Sequence, residues 1–176
     1  MARYASPWDR SLKLTTTLVA AVTVGVSVFV LALARDLPSH GDTRVLLLAP
    51  AVFVATLAGC WSLAPSGFTI EAGVVRVERP LRPVEIPLRE IREVGALPDD
   101  GLRGALKTLG SSGAFGHMGW FWSKRLGAFR MYATRSRRLV RIVAGKRTFI
   151  LSPEPVDRFV EEVLARSPAA RGAAPR

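Results

Sequence analysis

Glycines recur at every third position, Gly110, Gly113, Gly116 and Gly119, inside the stretch Gly104–Trp122. A phosphate-binding loop would need G-x-G-x-x-G between strand and helix, or G-x-x-x-x-G-K-[ST], so that backbone N–H groups converge on phosphate oxygens. No lysine stands in the required place and no helical pattern follows, which argues against nucleotide binding. The stretch reads as a long inter-strand loop whose glycines permit positive φ. A functional alternative rests on Phe115, Met118, Trp120, Phe121 and Trp122 beside Lys124 and Arg125. Aromatic rings at headgroup depth with cations on lipid phosphates would form an interfacial wedge. The densest basic cluster is Arg135, Arg137, Arg138 and Arg141. On a strand, Arg137, Leu139 and Arg141 would share one face and Arg138 and Val140 the other. That arrangement suits a solvated sheet face or a patch for anionic lipid or phosphate. Nothing resembles a recognition helix, which argues against nucleic acid.

Signals for catalysis are sparse. His40 and His117 have no nucleophile motif beside them, and Asp99-Asp100 sits in Leu97-Pro98-Asp99-Asp100-Gly101, a turn by its proline, glycine and backbone-bonding aspartates. The lone Cys60 cannot form an intramolecular disulfide, and no Cys/His set has metal-ligand spacing. The expectation is a non-enzymatic chain with no metal and no cofactor.

The elements around these residues divide the chain in two. A mean hydropathy of +0.23 coexists with 22% charged residues, as expected when apolar and polar parts are segregated. Leu14–Ala34 holds 21 residues without a charge, long enough at about 1.5 Å per residue to cross a hydrocarbon core of about 30 Å. Val45–Leu63 is a second apolar run of 19 residues, with Pro50 near its start and Trp61 near its end. The ten residues between them, with Pro38 and Gly41, demand an antiparallel hairpin. A secretory signal peptide ending near Ala32-Leu33-Ala34 is the rival reading of the first run, but its apolar core is longer than such peptides use. Arg3, Arg10 and Lys13 precede the first run, and Arg76, Arg79 and Arg82 follow the second. Asp36 and Asp42 offset Arg35 and Arg44 in the loop. The positive-inside rule then puts both termini in the cytoplasm of a multi-pass protein of the inner, plasma membrane. The divisions are a cytoplasmic tail 1–13, transmembrane helices 14–34 and 45–63, an extracytoplasmic loop 35–44, a domain 67–166 and a disordered tail 167–176.

Beyond Pro65 the period becomes two. Phe68–Glu71 and Val74–Arg79 alternate around an Ala72-Gly73 turn, and Val84–Leu88, Ile91–Val94, Ala128–Thr134, Leu139–Val143 and Arg147–Leu151 follow. About seven antiparallel strands in a meander are expected. Ser152 as N-cap and Pro153 at the first turn then open a helix with Val156, Phe159, Val160, Val163 and Leu164 on one stripe. Such a stripe has to be buried against the sheet.

The order of elements carried by FTIEAGVVRVERP, PVEIPLREIREV, GAFGHMGWF, FRMYATRSRRLVRIV and FILSPEPVDRFVEEVL resembles the bacterial pleckstrin-homology (PH)-like domain families of small membrane proteins. The resemblance covers about Gly67–Arg166 and implies an α+β fold: a partly open barrel with one C-terminal capping helix, held by a two-helix transmembrane hairpin. The Glu71-Ala72-Gly73 turn lacks the basic signature with which PH domains elsewhere bind inositides. The functional expectation is a membrane-anchored module that binds lipid headgroups or a membrane protein as scaffold or regulator. The alternative is an accessory subunit of a membrane enzyme or transporter.

Overall fold

The computed structural model describes residues 2–36 and 43–172. Residues 37–42, most of the expected loop and the position of His40, lie outside them, as do 173–176.

Helix α1 (Arg10–Asp36) starts four residues before the apolar run because Asp9 caps it: the Leu12 N–H donates to Asp9 Oδ1 at 2.6 Å. Among the described residues, one helix is long and apolar enough to cross a membrane, α1 over Arg10–Leu33 with a hydropathy of 2.3. Only 6% of its most apolar window is buried, so Leu14, Leu18, Val24 and Phe29, each more than 60% exposed, are left largely uncovered by protein. Helix α2 (Thr43–Leu63) contains Pro50, packs against α1, and continues from Pro50 to Leu63 as a shorter apolar helix.

The N-terminus is not simply a tail. Ala2–Ala5 forms strand β1, antiparallel to β2 (Gly67–Glu71), with Tyr4 opposite Phe68. Tyr4 enters the core because alternation turns it, rather than Arg3, inward. Strands β3 (Val74–Glu78) and β4 (Val84–Pro87) complete a four-stranded antiparallel sheet in chain order. The second sheet has seven strands. They are β5 (Ile91–Leu97), β6 (Leu106–Ser112), β7 (His117–Ser123), β8 (Gly127–Ala133), β9 (Leu139–Ala144), β10 (Arg147–Leu151) and the two-residue β11 (Arg171–Gly172). Their order is β11-β5-β9-β10-β8-β7-β6.

This corrects the expected meander of seven antiparallel strands. The seven segments recognised by alternation are all strands, but β10 inserts between β9 and β8 and runs parallel to β8. The connection 134–138 carries the chain across the space that β10 fills. Pairing beyond the meander comes from β1, β6, β7 and β11, three of which lie in segments expected to be irregular.

The main core lies between the sheets, around Phe68, Ile70, Val75, Val77, Ile91, Val94, Ile142 and Leu151. Helix α3 (Val156–Arg166) closes it with Phe159 and Val163, both fully buried, as its apolar stripe requires. Its start differs from expectation: the N-cap position is Pro155, without a side-chain cap. Ser152 is drawn elsewhere, its Oγ accepting the Thr134 N–H at 3.0 Å, and Glu154 pairs with Arg135. Nor is the segment after α3 wholly a disordered tail. The Ser167 hydroxyl donates to Leu88 O at 2.7 Å, and Arg171–Gly172 pairs with Glu93–Val94.

Candidate functional site

The glycine run is a β-hairpin, not a loop. Its turn closes with the Gly113 N–H on Gly116 O at 3.2 Å, and the register sets Gly110 opposite Gly119. A Cβ at Gly110 would sit 2.1 Å from Met118 O, and one at Gly119 2.2 Å from Leu109 O. The two residues have φ of 134° and 124°, where side chains other than hydrogen are strained. The three-residue step is therefore a mirror pattern: two glycine pairs placed symmetrically about one turn. That symmetry was the available signal for the hairpin.

Directly paired residues share a face, so Leu109 and Leu106 lie with their partners Trp120 and Trp122. Across the next ladder, Met118 stands opposite Tyr132, Trp120 opposite Arg130, and Trp122 opposite Ala128. Met118 and Tyr132 are in the core between the sheets. Beyond that cover the same face is bare: Leu106 is 65% exposed, Leu109 70%, Trp120 43% and Trp122 44%. The Arg130 guanidinium lies 4.1 Å from the Trp120 ring centroid, and that of Arg79 lies 5.5 Å from the Tyr132 ring.

The expected wedge is thus split. Trp120, Trp122 and Lys124 are exposed. Met118 is in the main core, and Phe121 stacks on Phe129 in a second apolar cluster on the reverse face. Phe115 is half-buried against Trp8, with its N–H donating to Thr16 Oγ1 at 3.0 Å. Arg125 pairs with Asp100 at 3.6 Å. Leu106, Leu109 and Arg130 join the site; the first two were missed because β6 carries no regular alternation, a bulge interrupting it between Lys107 and Leu109.

The arginine cluster does not form one patch. Arg135 is buried, paired with Glu154 and donating to Pro153 O at 2.7 Å and Arg138 O at 3.0 Å. Arg137 and Arg138 precede β9, so the strand alternation expected of them does not apply. Arg137 is exposed; Arg138 lies 3.6 Å from Glu154, and Arg141 lies 3.6 Å from Glu93. What does hold is a longer-range segregation. Between Gly101 and Pro153 the chain has eleven Lys and Arg and no Asp or Glu, while the remaining fourteen residues of each sign cancel. The net charge of +11 thus equals that of residues 101–153, the stretch that contains β6–β10.

On the reverse face of the hairpin, a cavity of about 420 Å³ opens over Phe121, Phe129 and Met131, with Asp99, His117 and Ser136 among its polar groups. His117 Nε2 is 3.4 Å from Ser136 Oγ. Burial lowers the His117 pKa from its ordinary 6.5, opposed by the charge of Asp9. The Asp99-Asp100 turn forms as its composition predicts, with the Gly101 N–H on Pro98 O at 2.8 Å. Among the described residues, no group of three or more His, Cys, Asp or Glu could hold a metal ion.

No curated protein and no solved structure matches the chain. Residues 66–167, more than half of it and the whole span from β2 through α3, match the family described as Bacterial PH domain, and the protein belongs to that family.

Proposed function

We propose that the protein is a non-enzymatic PH-like module anchored at the inner face of the plasma membrane, binding lipid headgroups or a membrane protein as scaffold or regulator. The observation that carries this reading is the pairing of β1 with β2. One strand precedes α1 and the other follows α2, yet they are hydrogen-bonded neighbours in one sheet. A chain that leaves through α1 must therefore return through α2 to the same side. With α1 long and apolar enough to span, α2 is the return span, and both ends of the hairpin share a compartment. The charge of residues 101–153 favours the cytoplasmic side, whose leaflet is anionic.

The alternative role, accessory subunit of a membrane enzyme or transporter, draws on the apolar cavity over Phe121 and Phe129, which could receive a partner's side chain.

Two measurements test the anchoring. The full chain should resist alkaline carbonate extraction from membranes. In a Cys60→Ala background, a cysteine at His40 should react with an impermeant maleimide added outside intact cells, and one at Glu161 should not. Release by carbonate, or labelling at Glu161 alone, overturns the reading.

A further inference from the structure

We infer that the face formed by Leu106, Leu109, Trp120 and Trp122 is a second membrane contact, lying in the headgroup layer of the anionic leaflet that α1 enters, with the Arg130 cation at lipid phosphates. The inference rests on the anchoring proposed above and says how the domain lies on its membrane.

Position is the first argument. The turn of the β6–β7 hairpin is fastened to the beginning of α1: Phe115 donates to Thr16, and a Cβ at Gly113 would be 3.5 Å from Thr15 Cγ2. Both threonines fall within the first turns of the charge-free run. The β3–β4 connection is tied to the end of α2 by the Leu81 N–H on Ser62 O at 3.0 Å, and Leu81 itself is exposed. From that connection Arg79 reaches Tyr132, the inner neighbour of the bare patch on the same face. The tip of the hairpin that carries the patch thus sits against α1, and the face it belongs to is joined through Tyr132 and Arg79 to the connection held by α2.

Chemistry is the second argument. Indole rings prefer the headgroup layer, where the ring is shielded and the N–H stays hydrated. A guanidinium stacked on an indole can hold the ring with one face and a phosphate with its edge. No carboxylate occurs anywhere between Gly101 and Pro153 to oppose an anionic surface. A second copy of the chain is the poorer occupant of this edge. Pairing β6 with β6 would bring together two copies of the 101–153 region, each with eleven Lys and Arg and no carboxylate.

The test uses the full chain in a Cys60→Ala background with an environment-sensitive fluorophore on one introduced cysteine. The sites are Leu109→Cys, Leu106→Cys, Leu18→Cys in α1 and Glu161→Cys on α3, each reconstituted into phosphatidylcholine vesicles with and without phosphatidylglycerol. Probes at 106 and 109 should be blue-shifted, several-fold less quenched by iodide than the probe at 161, and quenched by lipids carrying a nitroxide near the headgroup. Their shielding should fall when phosphatidylglycerol is omitted. Iodide access equal to that at 161 overturns the inference, and so does shielding without nitroxide quenching, which would mean a protein occupant. Shielding that ignores phosphatidylglycerol overturns its electrostatic part. Absence of lipid quenching at Leu18 would instead overturn the anchoring itself.

Discussion

Truncating Tyr4 should unfasten the N-terminus from the PH-like domain, although this residue lies more than sixty positions away from the segment that matches the family. Its side chain is 3% exposed, its ring meets Phe159 edge-on at a centroid distance of 5.0 Å, and its hydroxyl donates to the Glu162 carboxylate. Burial, then the hydrogen bond and charge of Glu162, push the phenol pKa up to about 12, so the donor stays protonated through the neutral range. A bond to a charged acceptor contributes about 1.5–3 kcal/mol, and part-exposure of Glu162 places this one at the lower end. Removing a buried aromatic ring costs about 3–5 kcal/mol. Tyr4→Phe should therefore lose about 1.5 kcal/mol and Tyr4→Ala about 4–5 kcal/mol, a large share of the 5–15 kcal/mol typical of a domain. Urea unfolding of the full chain in detergent, followed by tryptophan fluorescence, reads both. If Tyr4→Ala unfolds within about 0.5 kcal/mol of the parent, the size of an ordinary surface effect, β1 is not docked and the reasoning fails. The same argument predicts that an isolated 67–176 segment is poorly folded, because it lacks both Tyr4 and the edge strand.

Arg135→Ala should cost about 3 kcal/mol by leaving Glu154 and Pro153 O without their buried partner, while Arg137→Ala should stay within about 0.5 kcal/mol; the same urea melts compare them. Gly119→Ala should destabilise the hairpin by about 3 kcal/mol, since its Cβ collides with backbone at a forbidden φ; Gly104→Ala, strained in φ but with open space around it, should lose only about 1–2 kcal/mol, with amide exchange of β6 and β7 as the readout. For His117 the sign is set by its depressed folded pKa: the unfolded chain binds the proton more readily. Stability is thus full above pH 6.5 and is lost as pH falls through the folded value. His117→Gln should flatten melting temperature against pH over that window, and an unchanged slope would remove His117 as its cause.

Local patterning of residue types was enough for most strands of the domain and for α3, even where burial itself does not alternate, as in β2. Alternation located β2 to β5 and β8 to β10, and the stripe Val156–Leu164 located α3 and the side it buries. The family resemblance followed from the order of those same elements. Of the aromatic and apolar residues grouped in the glycine run, Trp120 and Trp122 are exposed while Met118 and Phe121 beside them are core. An aromatic type states how much apolar area a residue has to hide, but not which neighbour hides it. Met118 and Phe121 are covered on opposite faces of one strand, and only the extent of the two sheets decides where that cover ends.

The charge-free run of α1 and the excess of positive charge are properties of composition, so the sequence by itself determined a helix long and apolar enough to cross a membrane and a net positive charge on the residues that follow. Three things needed the tertiary structure. Pairing of Ala2–Ala5 with Gly67–Ile70 joins segments separated by two helices, and four residues carry no period strong enough to announce it. The apparent arginine patch dissolved because Glu154 and Glu93 arrive from other strands and connections to pair with Arg135, Arg138 and Arg141. The bare Leu–Trp face exists because a four-stranded sheet is too narrow to cover a seven-stranded one, and no single segment records the width of its partner.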